Sequence, residues 1–69
     1  MSSKGKRILE LYNTTEEFVV MLEEAELNAK TEKQAEFVDT FITMFDAHGD
    51  FMIISEQDHE NLKRLSEGN

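Results

Sequence analysis

Thr31-Glu32-Lys33-Gln34-Ala35-Glu36-Phe37-Val38-Asp39-Thr40-Phe41-Ile42-Thr43-Met44-Phe45-Asp46-Ala47-His48-Gly49 is the stretch on which the fold turns. Val38, Phe41, Phe45 and His48 recur at helical intervals, and Phe37, Ile42 and Met44 widen that apolar face. Thr31 and Gln34 fit a capping box, in which the hydroxyl and the reaching amide satisfy N–H groups that the first turn leaves without partners. Gly49 suits the left-handed residue that ends many helices. The pattern predicts a helix over 32–48 and makes it the hydrophobic centre of the protein.

Working toward the N-terminus, Thr14-Thr15-Glu16-Glu17 is a second capping box, and Phe18, Leu22, Ala25 and Ala29 share one side of a helix expected near 15–29. Ile8, Leu11 and Tyr12 give a short first helix, near 4–12, a small apolar face. Toward the C-terminus, Ser55-Glu56-Gln57-Asp58 opens a helix near 56–66 whose apolar side is Leu62 and Leu65. Both outer faces are too narrow to hold a helix in water, so these ends must dock on the middle pair. The expected fold is all-α: a single domain over 1–69 built on an antiparallel helical hairpin, 15–29 and 32–48, with short flanking N- and C-terminal helices.

Phe51-Met52-Ile53-Ile54 breaks the helical pattern. Four consecutive apolar residues read as a buried extended plug in preference to a strand, because a strand needs a partner and the one available is the same segment of a second chain. The run could also be a binding surface.

Size and composition narrow the rest. A chain of 69 residues buries a smaller share of its surface than a larger domain, and without cysteine it has neither disulfides nor thiolate zinc to support it, so dimerisation is the expected extra support. The hydrophobic fraction of 39% is too high for a disordered tail, and no apolar run approaches the roughly 20 residues of a membrane span. The basic start, with Lys4, Lys6 and Arg7, leads into no signal-peptide core, and the cytoplasm is the expected compartment.

The net charge of −8 is unevenly placed. From Ile8 to Leu62 there are fourteen carboxylates and two lysines, Lys30 and Lys33. Such a field repels nucleic acid and anionic membranes and attracts basic proteins. Catalytic signatures are missing: the histidines are His48 and His59, and there is neither a Gly-rich phosphate loop nor a recognisable Ser/His/Asp order. The expectation is a protein that is not an enzyme and uses no cofactor.

Two family resemblances are carried by particular residues. The run from Asp46 to Gln57 resembles an EF-hand loop, with Asp46 at its first position, Asp50 at its fifth and Ile53 at its apolar eighth. His48, Phe51 and Gln57 stand where that family has an oxygen ligand, Gly and a bidentate Glu. This resemblance implies calcium held by Asp46 and Asp50. Glu36-Phe37-Val38-Asp39-Thr40-Phe41, then Gly49, Ile54-Ser55-Glu56-Gln57 and Leu62-Lys63-Arg64-Leu65, is similar to small helical accessory proteins of phages and other mobile elements. It covers roughly 32–68 and implies a role around nucleic-acid handling, with no catalytic residue to transfer.

The acidic balance points to a partner. Glu16 with Glu23, and Glu17 with Glu24, repeat every seven residues and lie about 10 Å apart along a helix. With Asp39 and Asp46 they are the candidate charge contacts to a basic, nucleic-acid-binding protein whose groove the chain would occupy as a nucleic-acid mimic and inhibitor. Phe51 and Met52 are the candidate apolar anchors. The alternatives are a solvated acidic face without a role, a calcium protein, and a self-associating scaffold, a possible homodimer built on the helix at 32–48 or on 51–54.

Overall fold

The computed structural model describes residues 5–68 and is mostly helical, at 77%. Strand β1 (Gly5–Arg7) leads into a single turn of helix, α1 (Ile8–Leu11). Helices α2 (Thr15–Asn28) and α3 (Glu32–His48) follow, then a 3-10 turn over Gly49–Phe51, strand β2 (Ile53–Ser55) and α4 (Glu56–Ser66).

Three helix starts are fixed by the residues that announce them. Thr14 Oγ1 accepts from Glu17 N–H, Thr31 Oγ1 from Gln34 N–H and Ser55 Oγ from Asp58 N–H. The returning side chains reach one residue further back than a capping box requires: Glu17 Oε1 accepts from Asn13 N–H, and Gln34 Oε1 from Lys30 N–H at 2.8 Å. At the far end of α3, Gly49 turns with φ +59° and ψ −135°. The positive φ favours glycine, while the ψ lies outside the left-handed helical region and sends the chain directly into the 3-10 turn.

The N-terminal segment differs from the expected helix over 4–12. Only Ile8–Leu11 are helical, and Gly5–Arg7 pair antiparallel with β2, in the register Gly5↔Ser55, Lys6↔Ile54 and Arg7↔Ile53. Lys4, where that helix was expected to begin, lies outside the described residues. The partner of the 53–55 strand is therefore the start of the same chain and not a second copy. Glycine at position 5 is a poor helix former and suits close approach: a Cβ there would be driven into Ile53 Cγ2.

The core shifts the weight from α3 to α2. Helix α2 buries Phe18, Met21, Leu22 and Ala25, whereas α3 buries Val38 and Phe41. Ile8, Met52, Ile54, Leu62 and Leu65 complete the cluster. His48, placed on the apolar face by spacing, is exposed. Helix α2 packs more extensively on α4 than on α3. Asn28 Nδ2 ties the two together by donating to Leu65 O and Ser66 O at 2.9 and 3.0 Å, carbonyls of the last turn of α4, of which Leu65 O also accepts from Gly68 N–H.

Candidate partner-binding surface

Burial fixes the phase of each helix, and the phase decides which acids share a surface. On α2, Glu16, Val20, Glu23 and Leu27 lie opposite Phe18, Met21, Leu22 and Ala25 at about 100° per residue, forming the ridge furthest from the core. Val20 and Leu27 remain 51% and 84% exposed on it. Glu17 and Glu24 lie about a quarter turn round, on the flank that carries Asn28 and faces α4. All four glutamates are exposed, and Glu17 is also engaged by the N–H of Asn13.

On α3, Asp39 and Asp46 are exposed and belong to a longer row with Glu32 and Glu36, opposite Phe41, with Asp39 and Asp46 on the flank nearer Val38. Glu32 and Glu36 were not among the candidates drawn from the sequence. The signal was available: positions 32, 36, 39 and 46 are spaced by four, three and seven, the intervals of one helix face. The row spans about 21 Å of helix.

Of the two apolar anchors, Phe51 is 76% exposed and fits the role, but Met52 is 1% exposed and does not. Phe51 ends the 3-10 turn and faces solvent; in the extended stretch that follows, alternate side chains point to opposite faces, so Met52 and Ile54 enter the core while Ile53 faces solvent. The run 51–54 is thus half plug and half surface.

Asp46 and Asp50 are the carboxylates that would hold a cation in the EF-hand reading; Asp50 Oδ1 accepts the Thr15 hydroxyl hydrogen bond. Among the described residues no three His, Asp or Glu side chains come together in a way that could hold a metal ion. A shallow groove between α3 and α4 is lined by Gln34, Phe37, Asn61, Arg64 and Leu65. Its two amides have other bonds, Gln34 with Lys30 N–H and Asn61 Oδ1 with Gln57 Nε2.

One titratable pair couples the first helix to the last. The Tyr12 hydroxyl lies 2.7 Å from His59 Nε2, with the rings edge to face at 5.4 Å. With His59 neutral and Nε2 unprotonated, the hydroxyl donates. Burial lowers the His59 pKa, helped by the Lys63 ammonium, and burial raises that of Tyr12, helped by the Glu17 carboxylate. A histidine whose folded pKa lies below its unfolded value contributes stability that is present above about pH 6.5 and is lost as pH falls through the folded pKa. A tyrosine with a raised pKa contributes stability present below about pH 10 and lost as pH rises through its folded value. The urea midpoint of the native sequence is expected to fall as pH is lowered from 7.5 to 5.5, and to fall by less in His59→Gln. Equal pH slopes for the two would show that His59 is not the group responsible.

The fold and surface together define a small, mostly helical protein with acidic outer helix faces and a two-stranded sheet. Compared with protein-family models, curated proteins and solved structures, the chain matches none of them. Among the described residues no helix is long and apolar enough to cross a membrane.

Proposed function

We propose that this is a non-enzymatic interaction protein that binds a basic, nucleic-acid-handling protein through its acidic helical surface and modulates or inhibits it. The observation that carries this reading is the solvent-facing row Glu32, Glu36, Asp39 and Asp46 on α3, four exposed carboxylates in one line. Glu16 and Glu23 on the outer ridge of α2 extend the acidic surface beyond that row. Opposed fields of this kind steer a basic partner and set much of the specificity.

Charge density separates general docking from mimicry of a duplex. The α3 row carries about one charge per 7 Å of helix, against about one per 1.7 Å of duplex axis. Mimicry therefore requires that the α2 glutamates be read by the same partner groove. The resemblance to phage and mobile-element accessory proteins supports a nucleic-acid-handling partner, and the cytoplasm is the compartment that goes with it.

Capture of proteins from a bacterial lysate at low and at high salt tests the proposal. A basic nucleic-acid-binding protein is expected to be retained at low salt and released at high salt, because exposed charges beyond a Debye length are screened. The variant Glu36→Lys/Asp39→Lys is expected to weaken that binding at least about tenfold. Capture of no basic protein, or capture that the double reversal leaves unchanged, would overturn it.

A further inference from the structure

We infer that the groove between α3 and α4 binds a small aromatic carboxylate, with the acid group on the Arg64 guanidinium and the ring against Phe37. The groove has a volume of about 280 Å³ and is lined by Gln34 and Phe37 from α3 and by Asn61, Arg64 and Leu65 from α4. Ligand sites start at roughly 300 Å³, so this one takes a single ring with a short polar group and nothing larger.

The polar lining is one-sided. Gln34 Oε1 accepts from Lys30 N–H at 2.8 Å, and Asn61 Oδ1 accepts from Gln57 Nε2 at 3.4 Å. Both amide oxygens are engaged, and neither amide NH2 group donates to a described residue. Beside them the Arg64 guanidinium can only donate. What the lining offers is therefore donors, and the ligand must bring acceptors. The planar fork of an arginine matches the two oxygens of a carboxylate. The rest of the lining is apolar: Leu65 is buried, and half-buried Phe37 is fixed by its edge-to-face contact with Phe41, at 5.1 Å and 72°. Donors and an aromatic wall in one groove select an anion with an aromatic body.

The net charge of −8 opposes an anion, and the placement of charge around the groove counters it locally. Asn28 holds the end of α2 to the last turn of α4, and only residues 29–31 separate it from α3. The first turn of α3, with Lys33, is thereby brought near the last turn of α4, with Arg64. At about 100° per residue Lys33 lies about 40° round α3 from Phe37, and Glu36 about 100° in the same direction. Round α4 from Asn61, Arg64 lies at about 60°, Glu60 at about 100° and Glu67, just past the helix, at about 120°. On both helices a cation thus stands between the groove and the nearest carboxylates. Glu60 is one turn before Arg64, but an exposed pair of that spacing is weak and does not withhold the guanidinium from a ligand that also meets the amides. Carboxylates further off are screened at about 0.15 M salt, where the Debye length is about 8 Å.

The groove lies round α3 from the row Glu32, Glu36, Asp39 and Asp46, so this inference does not rest on the basic-partner reading. Titration of the full chain with phenylacetate at constant ionic strength, followed by amide NMR chemical shifts, is the test. Saturating shifts centred on Gln34, Phe37, Asn61, Arg64 and Leu65 are expected, with a Kd of about 1–10 mM for a ligand this small in an open site. Phenylacetamide keeps the ring and loses the charge, acetate keeps the charge and loses the ring, and each is expected to bind at least about tenfold more weakly. Arg64→Gln is expected to weaken phenylacetate binding at least about tenfold with unchanged far-UV circular dichroism, because the side chain is exposed. Glu36→Lys/Asp39→Lys, which removes the basic-partner row, is expected to bind phenylacetate at least as well as the native sequence. Shifts that do not saturate or that centre elsewhere, phenylacetamide binding as tightly as phenylacetate, or an Arg64→Gln variant that binds like the native chain would each overturn the inference.

Discussion

Phe18→Ala is expected to leave the chain largely unfolded at room temperature. Phe18 is fully buried, and its ring meets Tyr12 edge to face at 5.7 Å and Phe45 at 5.8 Å, tilted by 47°. It therefore joins the end of α1, the first turn of α2 and the last turns of α3. Truncating a buried Phe to Ala costs about 3–5 kcal/mol in lost transfer free energy and residual cavity. The two aromatic contacts add about 0.5–1.5 kcal/mol each. A domain of this length has a total stability of about 3–10 kcal/mol, so the loss is comparable to the whole. Phe18→Leu, which keeps most of the volume, should remain folded with a lowered midpoint. Urea unfolding followed by far-UV circular dichroism checks both, and a Phe18→Ala midpoint close to the native one would show that the core is not organised around this ring.

Gly5→Ala is the second large effect, and it acts through a single contact. The new Cβ would collide with Ile53 Cγ2, a branch on the Cβ of a β-branched residue and so without a flexible end to swing away. Relief requires either a turned Ile53 or a separated strand pair, at about 1–3 kcal/mol. Ile53→Ala alone should cost under about 1 kcal/mol, because the side chain is 56% exposed and its loss opens no core cavity. The double variant removes the clash, so its stability should exceed that of Gly5→Ala, with a coupling energy of about 0.5–3 kcal/mol. Additive costs in this cycle would mean that residues 5 and 53 do not meet, and the strand register would fall with them.

Helix α2 illustrates what a one-dimensional pattern carries. Its start at Thr15 follows from a hydroxyl at 14 and a carboxylate at 17, groups within one turn of the N–H groups they satisfy. Its core face was legible from Phe18, Leu22 and Ala25, yet Met21 was missed and Ala29 stands outside the helix. On the surface, Glu16 and Glu23 were recognisable by their spacing, but only the buried positions show that they alternate with Val20 and Leu27 on the outermost ridge. Glu17 and Glu24 have the same spacing and a different outlook, toward α4.

The segment 51–54 shows the opposite case. Four apolar residues in succession contain no alternation, so nothing local says whether Met52 or Phe51 turns inward. The phase of 53–55 is set by pairing with Gly5–Arg7, far away in the chain; Ile54 is buried in that register, and Met52, just before the strand, is buried with it. Glycine at position 5 carried no signal until its neighbour across the sheet was known. Tyr12 and His59 are likewise brought together from opposite ends of the chain.

By itself the sequence determined the helix starts at 15, 32 and 56, the helical majority and the acidic balance, because caps, periodicity and charge act over one or two turns of chain. The tertiary structure alone decided that Gly5–Arg7 form a strand, that α2 packs more on α4 than on α3, and which of the apolar residues at 51–54 reach solvent. Those outcomes depend on contacts between distant segments, whose loop-closure cost is repaid only when both partners and their register are in place.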